Sequence, residues 1–264
     1  MNNTLHHRIT GEPLFEYSFP IRYHELDSHG QLRPVTLLNC VQDAGGIHAA
    51  ILGVSVRDLR RKGLTWVLSR VHLEVERYPH ADDVVNVLTW PSTREGLFSC
   101  REFEMRDREG KLFSRATSSW AVLNLASRRP VRLQDCLPEY PLTERRAIDD
   151  DFASLPLFPD PPGEWLREVP FLVRRSDQDS NRHVNNTVYS DWALEAVPDA
   201  VAEGHLQSIE ISFRAEAVYG DSILSRCVSL PEESGTECLH QIVNSRDGRE
   251  LARLRTRWKG THHP

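Results

Sequence analysis

Apolar and polar residues alternate with a period of two across residues 71–75 and again across 209–213, with Val71, Leu73 and Val75 in the first run and Ile209, Ile211 and Phe213 in the second. That alternation predicts half-buried strands. A helical period begins after Pro34, a residue suited to a first helical turn. Leu37, Leu38, Val41, Ala44, His48, Ile51 and Leu52 then recur on one face until Gly53. A shorter helix is predicted from about Thr187 to Val197, with Val188, Trp192, Ala193 and Ala196 on one side and Pro198 as its stop.

These elements come in pairs. DREGKLFSRATSSW ends at Trp120 and SRDGRELARLRTRW at Trp258, each with a glycine (Gly110, Gly248) ten residues before the tryptophan, at an offset of 138. At the same offset Asp83 falls on Asp221. Earlier in each half, ELDSHGQLRPVTLLNCVQDA and DQDSNRHVNNTVYSDWALEA match at an offset of 152, so that Asp27 falls on Asp179 and Ala44 on Ala196. The change of register implies a longer helix in the first half. Each half reads as strand, polar loop, apolar helix and then several strands separated by turn signals such as DREG and SRDG. The expected class is α+β, with an antiparallel sheet wrapped around one central helix in each repeat. The boundaries predicted are 1–126 for the first repeat, 127–167 for a linker rich in proline and charge, and 168–264 for the second.

Composition narrows the choice of partners. The net charge of -6 comes from a mixed surface, which gives no sign of a nucleic-acid groove or a polybasic membrane patch. Lysine occurs only at 62, 111 and 259 among 32 cationic residues, so an anionic partner would meet arginine. The five cysteines are odd in number and lack C-x-x-C spacing, against both a disulfide framework and a zinc site, and a reducing cytosol fits them. The first residues do not read as a cleavable leader and no apolar run approaches 18 residues, so the expectation is a soluble cytoplasmic protein.

The densest polar stretch is SDQDSNRHVNN, residues 176–186. Asp177, Asp179 and Asn181 begin on calcium-loop spacing, but Arg182 stands where the sharp turn needs glycine and Val188 where a bidentate glutamate belongs, so no metal is expected. Asn185 or Asn186 can cap the helix that follows. Capping leaves Asp179, Asn181 and His183 unexplained.

The pattern D-x-N-x-H-V-N-N followed by tyrosine, met by Asp179, Asn181, His183, Val184, Asn185, Asn186 and Tyr189, resembles that of the hotdog-fold thioesterases. Among them it is most similar to the acyl-acyl carrier protein (acyl-ACP) thioesterases of plants and bacteria, which carry two hotdog repeats in one chain. LTWVLSRVHLEVERYPHADDVVNVLTW, RATSSWAVLNLASRRP and ISFRAEAVYGDS carry the likeness over most of the length. The resemblance implies a tandem (double) hotdog fold. It also implies hydrolysis of acyl-ACP to fatty acid and carrier protein, with Asp179, Asn181 and His183 in the active site. The family's catalytic glutamate, on a following strand in a Y-R-R-E-C pattern, falls on Glu216 of FRAEA. Plant members have cysteine next, where this chain has Ala217. No cysteine lies near either signature, so a carboxylate has to drive the reaction.

Thioester hydrolysis needs a water activator or nucleophile, a donor for the oxyanion and an acyl pocket. Asp179 and Glu216 are the candidate bases or nucleophiles, and if close together they would push one carboxyl pKa upward. Asn181 can orient a carboxylate or the water, and His183 can donate to substrate or share a proton. The N-terminus of the helix near Asn186 can polarise the carbonyl. Asn185 and Asn186 are read as caps that also border the substrate. In the first repeat Asp27 is kept, but His29 and Gln31 replace Asn181 and His183. That half is therefore expected to supply the acyl pocket, with Leu37, Leu38, Val41 and Trp66 as candidate lining or ordinary core.

No cofactor is needed for this hydrolysis. An acidic carrier protein would meet arginines in RDLRRKG, SRRP or Arg174–Arg175. The competing readings are an acyl-CoA hydrolase and a non-catalytic acyl-thioester binder. A hotdog hydratase fits poorly, because its D-x-N-P-x-H spacing is missed by one residue. Two fused repeats already provide dimer-like pairing, and a homodimer through exposed edges stays open.

Overall fold

A computed structural model describes residues 7–9, 13–161, 166–179 and 181–260. The chain divides into two compact units at Asp151/Phe152.

In the first unit the elements run β1 (His7–Ile9), β2 (Phe15–Pro20), α1 (Pro34–Ile51), α2 (Val56–Arg60), β3 (Leu64–Val75), β4 (Val84–Glu95), β5 (Phe98–Arg106), β6 (Leu112–Asn124), β7 (Pro130–Val131) and α3 (Leu133–Cys136). The strands pair antiparallel in the order β1-β2-β4-β5-β6-β3, with β7 added to β6. The second unit holds β8 (Leu166–Leu172), α4 (Asn186–Glu195), α5 (Asp199–Ala202), β9 (His205–Phe213), β10 (Ser222–Glu232), β11 (Gly235–Asn244) and β12 (Glu250–Lys259). Its antiparallel order is β9-β12-β11-β10-β8.

Each unit wraps its sheet around one helix, as the paired patterns predict. Pro34 opens α1, and Gly53 follows its end at φ +72°. Leu37, Leu38, Val41 and Ala44 are buried, and α1 packs on β4 and β2. Inside α1 a Cβ on Gly45 would come within 3.2 Å of Arg101 Cδ, so a larger residue there would push the arginine side chain by a few tenths of an ångström. The second helix packs on β8, β10 and β11 through Trp192 and Ala193. The register change between the halves is only partly the longer helix, 18 residues against 10; the four-residue α5 and the five-residue α2 also differ.

The segment expected as a surface linker is divided by the unit boundary, because charge and strand pairing tie most of it down. β7 extends the sheet, Leu133 is buried, and Trp90 Nε1 donates to the Arg145 carbonyl at 2.7 Å. Arg145 pairs with Glu104, and Arg146 Nε donates to Glu102 Oε1 at 2.8 Å. Beyond the boundary, Leu155 is buried and its carbonyl accepts from Arg253 at 3.3 Å within the second unit.

Candidate active site

A short 3-10 turn, Arg175–Asp177, leads into the polar loop of the second unit. Asp177 is buried; its carboxylate accepts from the Arg174 amide at 2.7 Å and pairs with the Arg174 guanidinium at 2.8 Å. It is thus a fastener for the loop entrance. Asp179 turns its carboxylate onto the loop itself. Oδ1 accepts from the amides of Asn181 at 2.7 Å and His183 at 3.2 Å, and Oδ2 accepts from Asn181 Nδ2 at 2.9 Å. The Asp179 amide donates to the His183 carbonyl at 2.8 Å, and Arg182 takes a positive φ of 64° at the turn.

The first unit repeats this loop closely. Asp27 Oδ1 accepts from the amides of His29 at 2.8 Å and Gln31 at 2.9 Å, and Gly30, at φ +74°, stands where Arg182 does. A carboxylate that makes the same bonds in the half lacking Asn181 and His183 is explained by turn geometry.

What separates the two halves is the group facing that turn. His183 Nδ1 lies 3.5 Å from Glu216 Oε1, with the two side chains 33% and 40% exposed. At the matching positions the first unit holds Gln31 and the buried Tyr78. Glu216 is not on a strand: β9 ends at Phe213, and Glu216 follows in a stretch whose start is held by the amides of Arg214 and Ala215 donating to the Leu251 carbonyl. Val184 N–H donates to the Ala217 carbonyl at 3.0 Å, and His183 bridges Val218, which fixes the imidazole beside the carboxylate.

Tyr189 completes that attachment, a role the motif alone did not show. Its hydroxyl accepts from the Ala217 amide at 3.1 Å and lies 3.5 Å from the Ala215 carbonyl, while its ring meets Trp192 and Phe213 edge-on. Burial pushes its phenol up to about 12, so it stays protonated. In the first unit Pro79 replaces Ala217 and Leu37 replaces Tyr189. A proline has no amide hydrogen to satisfy, so the hydroxyl is dispensable there. The signal in the sequence was this coupled exchange. Tyr189→Phe is expected to strand the buried Ala217 N–H and cost about 1–3 kcal/mol in urea unfolding.

Ala217 is fully buried. Asn185 is the N-cap of α4, its Oδ1 accepting from Thr187 N at 3.3 Å, and Asn186 is the first helical residue. The candidate acyl-pocket residues of the first unit lie in its interior: Leu37, Leu38 and Val41 on α1, and a half-buried Trp66 whose Nε1 donates to the Val54 carbonyl at 2.7 Å beside Leu59, Leu64 and Leu133.

The family model for the acyl-ACP thioesterase N-terminal domain matches residues 12–140, and that for the acyl-ACP thioesterase C-terminal domain matches 164–260. The chain is 29% identical to oleoyl-acyl carrier protein thioesterase 1 of Arabidopsis thaliana, over 93% of this chain and 76% of that protein. It is 28% identical to a dodecanoyl-[acyl-carrier-protein] hydrolase of Cinnamomum camphora, over 93% and 68%; both relatives are chloroplastic. The 12:0-ACP thioesterase of Umbellularia californica superposes with a TM-score of 0.79 at 26% identity, covering 94% of each chain. An acyl-ACP thioesterase of Bacteroides thetaiotaomicron superposes at 0.80 with 23% identity, over 94% of this chain and 98% of that one, a likeness of fold. Among the described residues no helix is long and apolar enough to cross a membrane. With both domain models matched in order and a thioesterase loop intact in the second, the chain belongs to the acyl-ACP thioesterase family.

Proposed function

We propose that this chain hydrolyses acyl-ACP thioesters to free fatty acid and carrier protein, using the second unit's His183–Glu216 pair to activate water. The carrying observation is that pair, at 3.5 Å, in the one half where both residues occur. Glu216 takes a proton as the water oxygen attacks the thioester carbon. The C–S bond then breaks, and the proton passes to the departing sulfur through His183, so that water and thioester become acid and thiol. The positive end of α4, which starts three residues after His183, favours the charge developing on the carbonyl oxygen. Asp179 and Asn181 are positioning residues, because their side chains hold the turn that carries His183.

The carrier protein is acidic, and α2 with its flanks offers Arg57, Arg60, Arg61 and Lys62 on an exposed surface, a suitable docking face. Raising salt from 50 to 500 mM is expected to raise KM for acyl-ACP several-fold while changing kcat little, since steering is screened and chemistry is not. The test of function compares thiol release from acyl-ACP and acyl-CoA of the same chain length. Faster cleavage of acyl-ACP supports the proposal. Preference for acyl-CoA moves the substrate to coenzyme A, and binding without turnover makes the chain an acyl-thioester binder.

A further inference from the structure

The second unit holds a set of soft ligands that hydrolysis does not use. Cys227 on β10 lies directly across from His240 on β11, and Cys238 lies two residues before His240 on the same face. The two sulfurs and a ring nitrogen of His240 all lie within 4.8 Å of one another, and all three residues are 0% exposed. Spacing along the chain hides this set, because strand pairing and not a C-x-x-C turn brings it together.

The surrounding bonds prepare the imidazole. Thr256, opposite Cys238 on β12, meets His240 Nε2 at 2.9 Å, and its Oγ1 also accepts from Trp258 Nε1 at 2.9 Å. With Nε2 engaged, Nδ1 is left as a buried nitrogen that has no hydrogen-bond partner. A buried polar atom without a partner is unfavourable, and a bound cation would remove that cost. Holding one ring nitrogen by a hydroxyl while the other is presented is also how ligating histidines are oriented.

From this geometry we infer that Cys227, Cys238 and His240 form a structural site for a thiophilic cation, Zn²⁺. Two thiolates and one Zn²⁺ sum to zero charge, which a dry interior tolerates, whereas Cu⁺ would leave a net negative charge buried. Binding releases two thiol protons to solvent. Zinc–sulfur bonds of about 2.3 Å and a zinc–nitrogen bond of about 2.0 Å ask the three side chains to draw in by roughly an ångström. A water fills the fourth position. The cluster packs with Ala196, Val197, Leu206 and Trp258, beyond the last turn of α4, whereas the His183 loop precedes the first. Its role is therefore to brace the hairpin under that helix, and because it is closed, loading accompanies folding.

The test uses the full chain, purified without chelator and also refolded with Co²⁺. About one zinc per chain by elemental analysis, with a thiolate-to-cobalt absorption band that disappears in Cys227→Ser and Cys238→Ser, is the expected result. Should those variants not fold, the wild-type metal content and cobalt spectrum decide. Copper in place of zinc would uphold the site and overturn the cation. Wild type that folds in chelator with an unchanged melting temperature, no metal and no cobalt band overturns the proposal.

Discussion

Glu102→Ala is expected to destabilise the first unit by about 3–5 kcal/mol, seen as a fall in melting temperature on the order of 10 °C. Glu102 is 0% exposed, and its carboxylate gathers four donors: Ser92 Oγ at 2.7 Å, Thr117 Oγ1 at 3.0 Å, Arg146 Nε at 2.8 Å and the Ala147 amide at 3.1 Å. Removing it takes the acceptor from two buried hydroxyls and the Ala147 amide at once, and leaves Arg146 with its bonds to the Asp150 carbonyl and Thr117. It also releases residues 146–147, which lie far along the chain from β5, so loss of Glu102 should expose that segment to protease before the sheet melts. Arg146→Ala should cost at least as much, because it leaves a fully buried carboxylate without its cation, whereas the Arg146 left by Glu102→Ala is a quarter exposed. Thermal unfolding and limited proteolysis of the two variants separate the cases, and equal small losses would show that the segment is held by something else.

His183→Ala is expected to lower kcat/KM for acyl-ACP by about 10²-fold or more with little change in stability, since the imidazole is a third exposed. If His183 and Glu216 act as one proton-handling unit, adding Glu216→Gln to His183→Ala should cost far less than a second factor of 10². Multiplying losses would mean two independent roles. Steady-state thiol release by the two single variants and the double variant reads the coupling directly.

The repeat, the two helices and the alternating strands were legible because each depends on local periodicity, and the loop because its polar residues are contiguous. Three features were not. The segment 127–151 looked like a linker because proline and charge are also what loops contain; only Glu102 and Glu104, distant in sequence, turn its arginines into anchors. The roles of the two carboxylates could not be ranked from spacing. Asp179 and Asp27 make the same turn bonds, and that becomes visible only when both loops are compared in three dimensions. The cluster of Cys227, Cys238 and His240 depends on cross-strand register, which a count of cysteine spacings does not contain.

The absence of cysteine beside Glu216 has a similar resolution. Ala217 is buried, with its amide held by Tyr189 and its carbonyl by Val184, so a side chain at this position faces the interior and not solvent.

The measurement that bears most directly on this account is thiol release from acyl-ACP by Glu216→Gln beside wild type and Asp179→Asn, with melting temperatures taken on the same samples. Glu216→Gln is expected to lose about 10²-fold or more at an unchanged melting temperature, and Asp179→Asn to lose activity together with a lower one. Glu216→Gln turning over within about threefold of wild type would contradict it, and would return the chemistry to Asp179.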